Sequence, residues 1–410
     1  MSDVTTEIFE GDCIDVMSEM DEESVHAVVT DPPYGLAFMG RTWDDFDPKE
    51  YQEFCQDWAT EALRVLKPGG HLLAFSGTRT YHRLGVGVED AGFEIRDKID
   101  WIYGSGFPKG QDISRGIQKR EGIEPVEVNE AEGVGFMNSE DDGWNDTHNR
   151  HVMPDPEGEA KKWKGWKTGL KPAHEPICVA RKPFDGPVID CVLEHGTGAL
   201  NIGDSRIGSD MIHDPPRTTE GLCYGETTAG HQEYNIRKGR YPANIVIDGE
   251  VAEMIDEQSG ESKSSVNVGD PDRYGTSEGD ATTFHYGRFD ENNTYDDEGG
   301  ASRFFYTAKA SNSERTMNGK VENPHPTVKP VDLMEYLVKL VTREGQTVLD
   351  PFMGTGTTLL AAYNLGRNSI GIDKSDEFIE VAENRVDVNR QRPDMIGTEP
   401  EHVYNSVTEW

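Results

Sequence analysis

The chain has 410 residues, enough for a large core and two or three domains, and its 76 Asp plus Glu against 40 Lys plus Arg give a formal net charge of −36. No stretch approaches the length of a membrane span, and the N-terminus lacks the charged-then-apolar pattern of a secretory signal. Cys13, Cys55, Cys178, Cys191 and Cys223 are scattered and form no CxxC pair, which gives no support to a disulfide framework or a zinc site; a cytoplasmic protein without a metal is expected.

Along the chain, the first strong signal is the apolar run 24–30, read as a buried strand, which leads directly into Asp31-Pro32-Pro33-Tyr34. Asp47-Pro48-Lys49-Glu50 then supplies an N-cap, a proline in the first turn and a capping-box glutamate. Tyr51, Phe54, Trp58, Ala62, Val65 and Leu66 follow at helical spacing. Lys67-Pro68-Gly69-Gly70 stops that helix, and 71–75 and 99–103 read as further strands. Beyond about Gly104 the alternation fades. Residues 121–160 hold twelve acids against the single Arg150, and 258–300 are rich in Gly, Ser, Asp and Asn; both predict long surface loops. Between them, 175–180 and 241–248 are the ordered candidates. Regularity returns near Pro330, with Leu333, Leu337, Leu340 and Val341 on one helical face. A strand at 347–350, a helix at 357–365 ended by Gly366, a strand at 369–373 and a last helix from 376 to about 389 complete the pattern.

This alternation predicts an α/β fold, a doubly wound parallel sheet with helices on both faces. Neither end supplies enough strands alone, so residues 1–104 and 325–390 are read as two halves of one domain. Residues 105–324 form an insertion and 391–410 a polar tail.

In open sheets of this kind ligands bind beyond the carboxyl ends of the strands. Gly354 and Gly356 let backbone approach a ligand, the helix start that follows offers N–H groups, and Asp373 ends the next strand, where it can accept from ribose hydroxyls. Leu359 stands where a dinucleotide fingerprint has its third glycine, and Asp350 disfavours a pyrophosphate. A ligand carrying an ammonium and a sulfonium, S-adenosylmethionine, suits the turn. The tetrapeptide is complementary. The exocyclic amino nitrogen of adenine or cytosine is a poor nucleophile because its lone pair is delocalised into the ring. The Asp31 carboxylate and the Pro32 carbonyl are acceptors for its two N–H groups, Pro32 and Pro33 stiffen the loop, and Tyr34 can stack on a base turned out of the duplex. The methyl then moves in line from sulfur to nitrogen without a covalent enzyme intermediate. Taken singly, each motif also has a plainer reading as a tight turn after a strand.

Together the motifs resemble the β-group amino-DNA methyltransferases, in which the catalytic segment precedes the cofactor segment, and Ser105 to Arg115 and Lys171 to Lys182 also resemble methyltransferases carried by phages and prophages. The resemblance rests on Gly11-Asp12, the run 25–34, Leu66-Lys67-Pro68-Gly69-Gly70, His325-Pro326-Thr327-Val328-Lys329-Pro330, the run 350–358 and Gly371-Ile372-Asp373. It implies a Rossmann-like fold, S-adenosyl-L-methionine as cofactor and double-stranded DNA as partner; a cognate restriction endonuclease, and a monomer or homodimer, are compatible with it. It assigns Asp31, Pro32, Pro33 and Tyr34 to the target base. Asp350, Pro351, Phe352, Gly354 and Gly356 would line the cofactor pocket, Asp373 take the ribose, Thr327 and Lys329 the methionine carboxylate, and Asp12 the cofactor's adenine. Asp at the head of the tetrapeptide favours N6 of adenine; N4 of cytosine is the alternative, followed by methylation of RNA or of a protein amide, and by a catalytically silent DNA-binding module. Gly35 stands where many relatives have Asn, and Asp373 where Glu is usual.

The insertion is the expected DNA reader. Lys161, Lys162, Trp163, Lys164, Trp166 and Lys167 form a basic, aromatic island in an acidic chain, with Lys109 and Arg115 as a second strip; a solvated loop paired with neighbouring acids is the plainer reading. The overall acidity opposes phosphate binding. It fits a halophilic setting, where screening shortens the unfavourable field to about 3 Å at molar salt. Activity is therefore expected to persist in molar KCl, and an optimum at low salt with loss at molar KCl would count against a halophilic origin.

Overall fold

The run after Ser24 folds as the strand Val25–Thr30, buried at every position but His26. The computed structural model describes residues 4–36, 44, 46–104, 106, 110–128, 150–213, 236–263, 298–308, 312–323 and 328–391. Val28 packs with Trp58 and Leu72 on one face of the sheet, while Ala27 and Val29 pack with Leu337 and Val348 on the other. Burial on both faces is why the strand is apolar at consecutive positions instead of alternating.

Among the described residues, nine strands form one sheet in the spatial order Thr6–Glu10, Asn368–Asp373, Thr347–Asp350, Val25–Thr30, Leu66–Phe75, His174–Arg181, Glu94–Ile102, Ile245–Asp248 and Tyr306–Ala308. The first five are parallel. His174–Arg181 runs antiparallel to Leu66–Phe75, and Ile245–Asp248 is parallel to both its neighbours. The helix Pro48–Val65 starts on the expected device, with Asp47 accepting from the Lys49 and Glu50 N–H groups and Glu50 returning to the Asp47 N–H. Its buried Tyr51, Cys55 and Trp58 share one face of the sheet with Leu84 and Val88 of Tyr81–Asp90. Val331–Val341 and Thr357–Asn364 cover the opposite face. The architecture is a doubly wound α/β sheet.

The boundaries differ from the expected insertion at 105–324. That stretch contributes His174–Arg181, Ile245–Asp248 and Tyr306–Ala308 to the sheet, and the unit that separates is Tyr103–His174 alone. Strands of four and three residues are too short to show a period of two in sequence. The sheet is therefore mixed, not wholly parallel. The Tyr103–His174 unit holds the helices Ile113–Arg120 and Gly158–Lys162 and an antiparallel hairpin, Val126–Val128 with Arg150–Val152. Ser114 Oγ donates to the Ala160 carbonyl and Gln118 Nε2 to the Pro154 carbonyl, each at 2.8 Å. Residues 392–410 and Cys223 lie outside the described residues, and Cys13, Cys55, Cys178 and Cys191 are buried free thiols.

Leu72, with no exposed surface at the centre of the sheet, sets a scale for this core. Leu72→Ala is expected to cost about 2–5 kcal/mol, measured as a fall in the denaturant midpoint at unchanged slope; a loss below about 1 kcal/mol would show that this site can collapse around the gap.

Candidate active site

The two loops singled out in the sequence leave adjacent parallel strands. Val348 pairs with Ala27 and Leu349 with Val28, so Asp350 falls level with Val29, and Thr30, the next residue, donates from Oγ1 to Asp350 Oδ1 at 2.7 Å across 320 residues of chain. Asp350 also accepts from the Phe352 N–H at 3.1 Å and from Thr358 Oγ1 at 2.5 Å. It is only 3 % exposed. The expectation that this carboxylate lines a ligand pocket therefore changes: it braces strand end, turn and helix start, because a buried carboxylate must be satisfied internally. Burial pushes its pKa up to about 6, with Asp31 adding to the push and the hydroxyl and N–H donors opposing it.

The glycine turn is shaped by its neighbours. Gly354 has φ +51 and donates its N–H to Asp373 Oδ2 at 2.9 Å. At Gly356, φ is +77 and an added Cβ would lie 2.9 Å from Ala382 Cβ, so helix packing demands that glycine. Pro351 is buried, and Phe352 meets Trp58 edge-on with ring centroids 5.6 Å apart. Arg385, wholly buried, donates from Nη1 to the Thr355 carbonyl at 2.5 Å, to Thr355 Oγ1 at 3.1 Å and to Thr357 Oγ1 at 3.2 Å. Sequence reading missed this support, because nothing in the polar last helix distinguishes one arginine from another.

Beyond the turn, Asp373 Oδ1 accepts the Ser375 N–H at 2.9 Å, and burial raises its carboxyl above the usual range against these backbone bonds. The Gly11 N–H reaches the Asp373 carbonyl at 2.9 Å. Asp12 caps the helix Cys13–Ser18 through the Ile14 N–H at 2.9 Å and pairs with Lys374 at 2.6 Å. Burial would raise the Asp12 carboxyl, but Lys374 and the cap hold it low. Strand order thus sets Asp12, Asp373, the glycine turn and Asp31 along one sheet edge, roughly 14 Å end to end at strand spacing. Carboxylates along such a turn suit a ligand with hydroxyls and positive charge and repel a pyrophosphate. That donor set fits S-adenosylmethionine. Thr327 lies outside the described residues.

At the other end of the edge, Asp31 Oδ1 accepts from Tyr34 Oη at 2.7 Å and Oδ2 from Lys329 Nζ at 2.5 Å. Tyr34 Oη is also 2.9 Å from Glu175 Oε2, and Lys329 Nζ is 3.3 Å from the same oxygen. The Lys329 side chain is 9 % exposed, with its ammonium 5.0 Å from the Phe75 ring centroid. Burial alone would lower the pKa of that ammonium, but the Asp31 and Glu175 carboxylates override it and hold it above its ordinary value. Burial and the same two carboxylates raise the Tyr34 phenol. The resemblance assigns Lys329 to a methionine carboxylate; in the structure its ammonium lies between Asp31 and Glu175, two half-buried carboxylates that compete for it. Glu175 was not foreseen. It opens the antiparallel strand, whose beginning lies at the edge where the parallel strands end, and strand direction is not written in the local sequence.

Pro33 and Gly35 shape the same loop. The Pro33 carbonyl accepts from Tyr51 Oη at 3.0 Å, while no described residue donates to that of Pro32. Gly35 has φ +65, and a Cβ there would lie 2.7 Å from the Tyr51 ring, which accounts for glycine where relatives have Asn. In the Tyr103–His174 unit, Lys161, Lys162, Trp163, Lys164, Trp166 and Lys167 are all exposed, and the two indoles lie 5.3 Å apart, edge to face. Lys162 pairs with Glu159 at 2.6 Å and Lys164 with Asp155 at 3.2 Å. Arg115 lies on the helix Ile113–Arg120; Lys109 is outside the described residues. Among the described residues no helix is long and apolar enough to cross a membrane.

The fold and this edge define an α/β methyltransferase. The sequence model of the N6/N4 methyltransferase family, described as DNA methylase, matches residues 25–384, and the chain belongs to that family. It is an S-adenosyl-L-methionine-dependent DNA methyltransferase. The type II methyltransferase M.HindIII of Haemophilus influenzae is 24 % identical over 421 residues, covering 93 % of this chain and 96 % of that protein. M.HpaI of Haemophilus parainfluenzae is 46 % identical over 68 residues, 17 % of this chain and 22 % of that one. Among solved structures, the cytosine-N4-specific PvuII DNA methyltransferase aligns at TM-score 0.46 and 13 % identity over 96 % of this chain and 93 % of its own. The M1.HpyAVI–SAM complex aligns at TM-score 0.38 and 16 % identity over 93 % and 100 %.

The brace makes a pH prediction. With its native pKa near 6 against an ordinary 3.8, the Asp350 carboxyl binds its proton more tightly in the folded chain than in the unfolded one. Its proton-linked stabilisation is complete below the lower value and fades as pH rises through the higher. The Tm of the natural protein relative to Asp350→Asn should therefore be most favourable near the lower value and decline towards neutrality; a difference independent of pH would contradict the internal placement of this group.

Proposed function

We propose that this chain methylates N6 of adenine at specific sites in double-stranded DNA. The observation that carries the reading is the Thr30–Asp350 hydrogen bond, which seats the Asp31 loop beside the glycine turn. S-adenosylmethionine supplies an electrophilic methyl group when bound along that turn. Asp31 and the Pro32 carbonyl accept the two amino hydrogens of the target base, drawing lone-pair character back to nitrogen. Tyr34 offers a ring face to a base turned out of the helix while its hydroxyl stays anchored on Asp31 and Glu175. Once methylated, the amino nitrogen has one proton to shed, which Asp31 would accept and pass to solvent. Placement and electrostatics supply the acceleration.

Asp at the head of the tetrapeptide supports adenine over cytosine. The exposed tryptophan pair and its lysines support the Tyr103–His174 unit as a DNA-contacting surface. The test is transfer of a labelled methyl group to DNA followed by nucleoside analysis, with Asp31→Ala alongside. N6-methyladenine is expected, and the variant should be slower by about a thousandfold or more while still binding S-adenosylmethionine. N4-methylcytosine as product would overturn the adenine assignment, and an undiminished variant would overturn the role of Asp31.

A further inference from the structure

The half-buried cluster at Asp31 contains one more carboxylate than the reaction requires. Asp31 comes from the loop after Val25–Thr30, Glu175 from the start of His174–Arg181, and Lys329 from the segment before Val331–Val341. Lys329 Nζ is bonded to Asp31 Oδ2 at 2.5 Å and lies 3.3 Å from Glu175 Oε2; Tyr34 Oη bridges Asp31 Oδ1 and that same Glu175 oxygen at 2.7 and 2.9 Å. Asp31 also acts on the buried Asp350, whose carboxyl it helps to raise. We infer that Glu175 is a positioning residue for methyl transfer, sharing the Lys329 ammonium so that Asp31 is held in place without being neutralised. The inference rests on Asp31 as acceptor of the target amino group.

Lys329 and Tyr34 each take one lone pair on a different oxygen of Asp31, which stops the carboxylate from rotating and leaves each oxygen one further lone pair for an amino hydrogen. Bound to Asp31 alone, an ammonium as enclosed as that of Lys329 would cancel the charge that must meet positive character growing on the amino nitrogen. A second carboxylate on the same ammonium removes that difficulty. It leaves the cluster with a net negative charge, and its oxygen lies 2.9 Å from Tyr34 Oη, an alternative acceptor for the one hydroxyl proton. Glu175 touches neither base nor cofactor in this scheme. It acts through Lys329 and Tyr34.

The arrangement predicts a reversal that a merely structural glutamate would not produce. Glu175→Gln keeps a polar group of the same size beside the Tyr34 hydroxyl but leaves Asp31 as the one carboxylate paired with Lys329. Its single-turnover methyl-transfer rate should fall about tenfold or more, with S-adenosylmethionine affinity within about twofold of the natural protein. Adding Lys329→Met to Glu175→Gln should restore at least about threefold of that loss, because Asp31 is again uncancelled. An unchanged rate in Glu175→Gln, or a double variant no faster than the single one, overturns the inference. Should Glu175→Gln fail to bind S-adenosylmethionine, Lys329→Met alone decides. Two carboxylates bridged by Tyr34 must then share a proton, so its rate should climb with pH across a range where the natural protein is flat, and a profile parallel to the natural one overturns the inference. Loss of activity in Asp31→Ala with none of these effects would leave Asp31 as acceptor and remove only the role of Glu175.

Discussion

The hydrogen bond from Thr30 to Asp350 is the constraint on which this site depends. Both groups are buried, and a carboxylate without water is tolerated only where donors surround it. Asp350 finds three, one from each element that must meet: the strand Val25–Thr30 through Thr30, the turn through the Phe352 N–H, and the helix start through Thr358. Losing this register would carry Thr30 away from Asp350 and leave the carboxylate short of a donor. Register is thereby tied to chemistry, since Asp31 is the next residue along. The tetrapeptide occupies its place because the preceding threonine is held there.

The parts legible in sequence are those whose causes are local. The Asp47 capping box formed as read, since its three groups lie within four residues. The strands at Val25–Thr30, Thr347–Asp350 and Asn368–Asp373 announced themselves by apolar runs that are buried on both faces. What escaped was non-local. The His174–Arg181 segment was visible as ordered, but its insertion between Leu66–Phe75 and Glu94–Ile102 and its antiparallel direction could not be seen from its own residues. Glu175 reaches the site only through that direction. The partners of Lys329 are hidden for the same reason: the carboxylates beside it lie 298 and 154 residues away, and only the fold brings them within 3.3 Å. Gly356 was read as a concession to a ligand, whereas Ala382 fills the space its side chain would need.

Charge is the remaining tension, because a chain with net charge −36 has to approach a polyanion. The lysine at the catalytic loop gives no help, being enclosed by Asp31 and Glu175. In the Tyr103–His174 unit, Lys162 and Lys164 are paired with Glu159 and Asp155, yet these four side chains are 53–96 % exposed. Ion pairs so open to solvent contribute little to stability, so exchanging an acid for a phosphate is nearly neutral in free energy. Such an exchange also releases fewer counterions than binding by uncompensated lysines, which flattens the dependence of affinity on salt. Neighbouring Trp163 and Trp166 offer stacking surfaces that salt does not screen. An acidic protein can hold DNA under these conditions if its lysines change partners and its aromatic rings carry the share of affinity that electrostatics cannot.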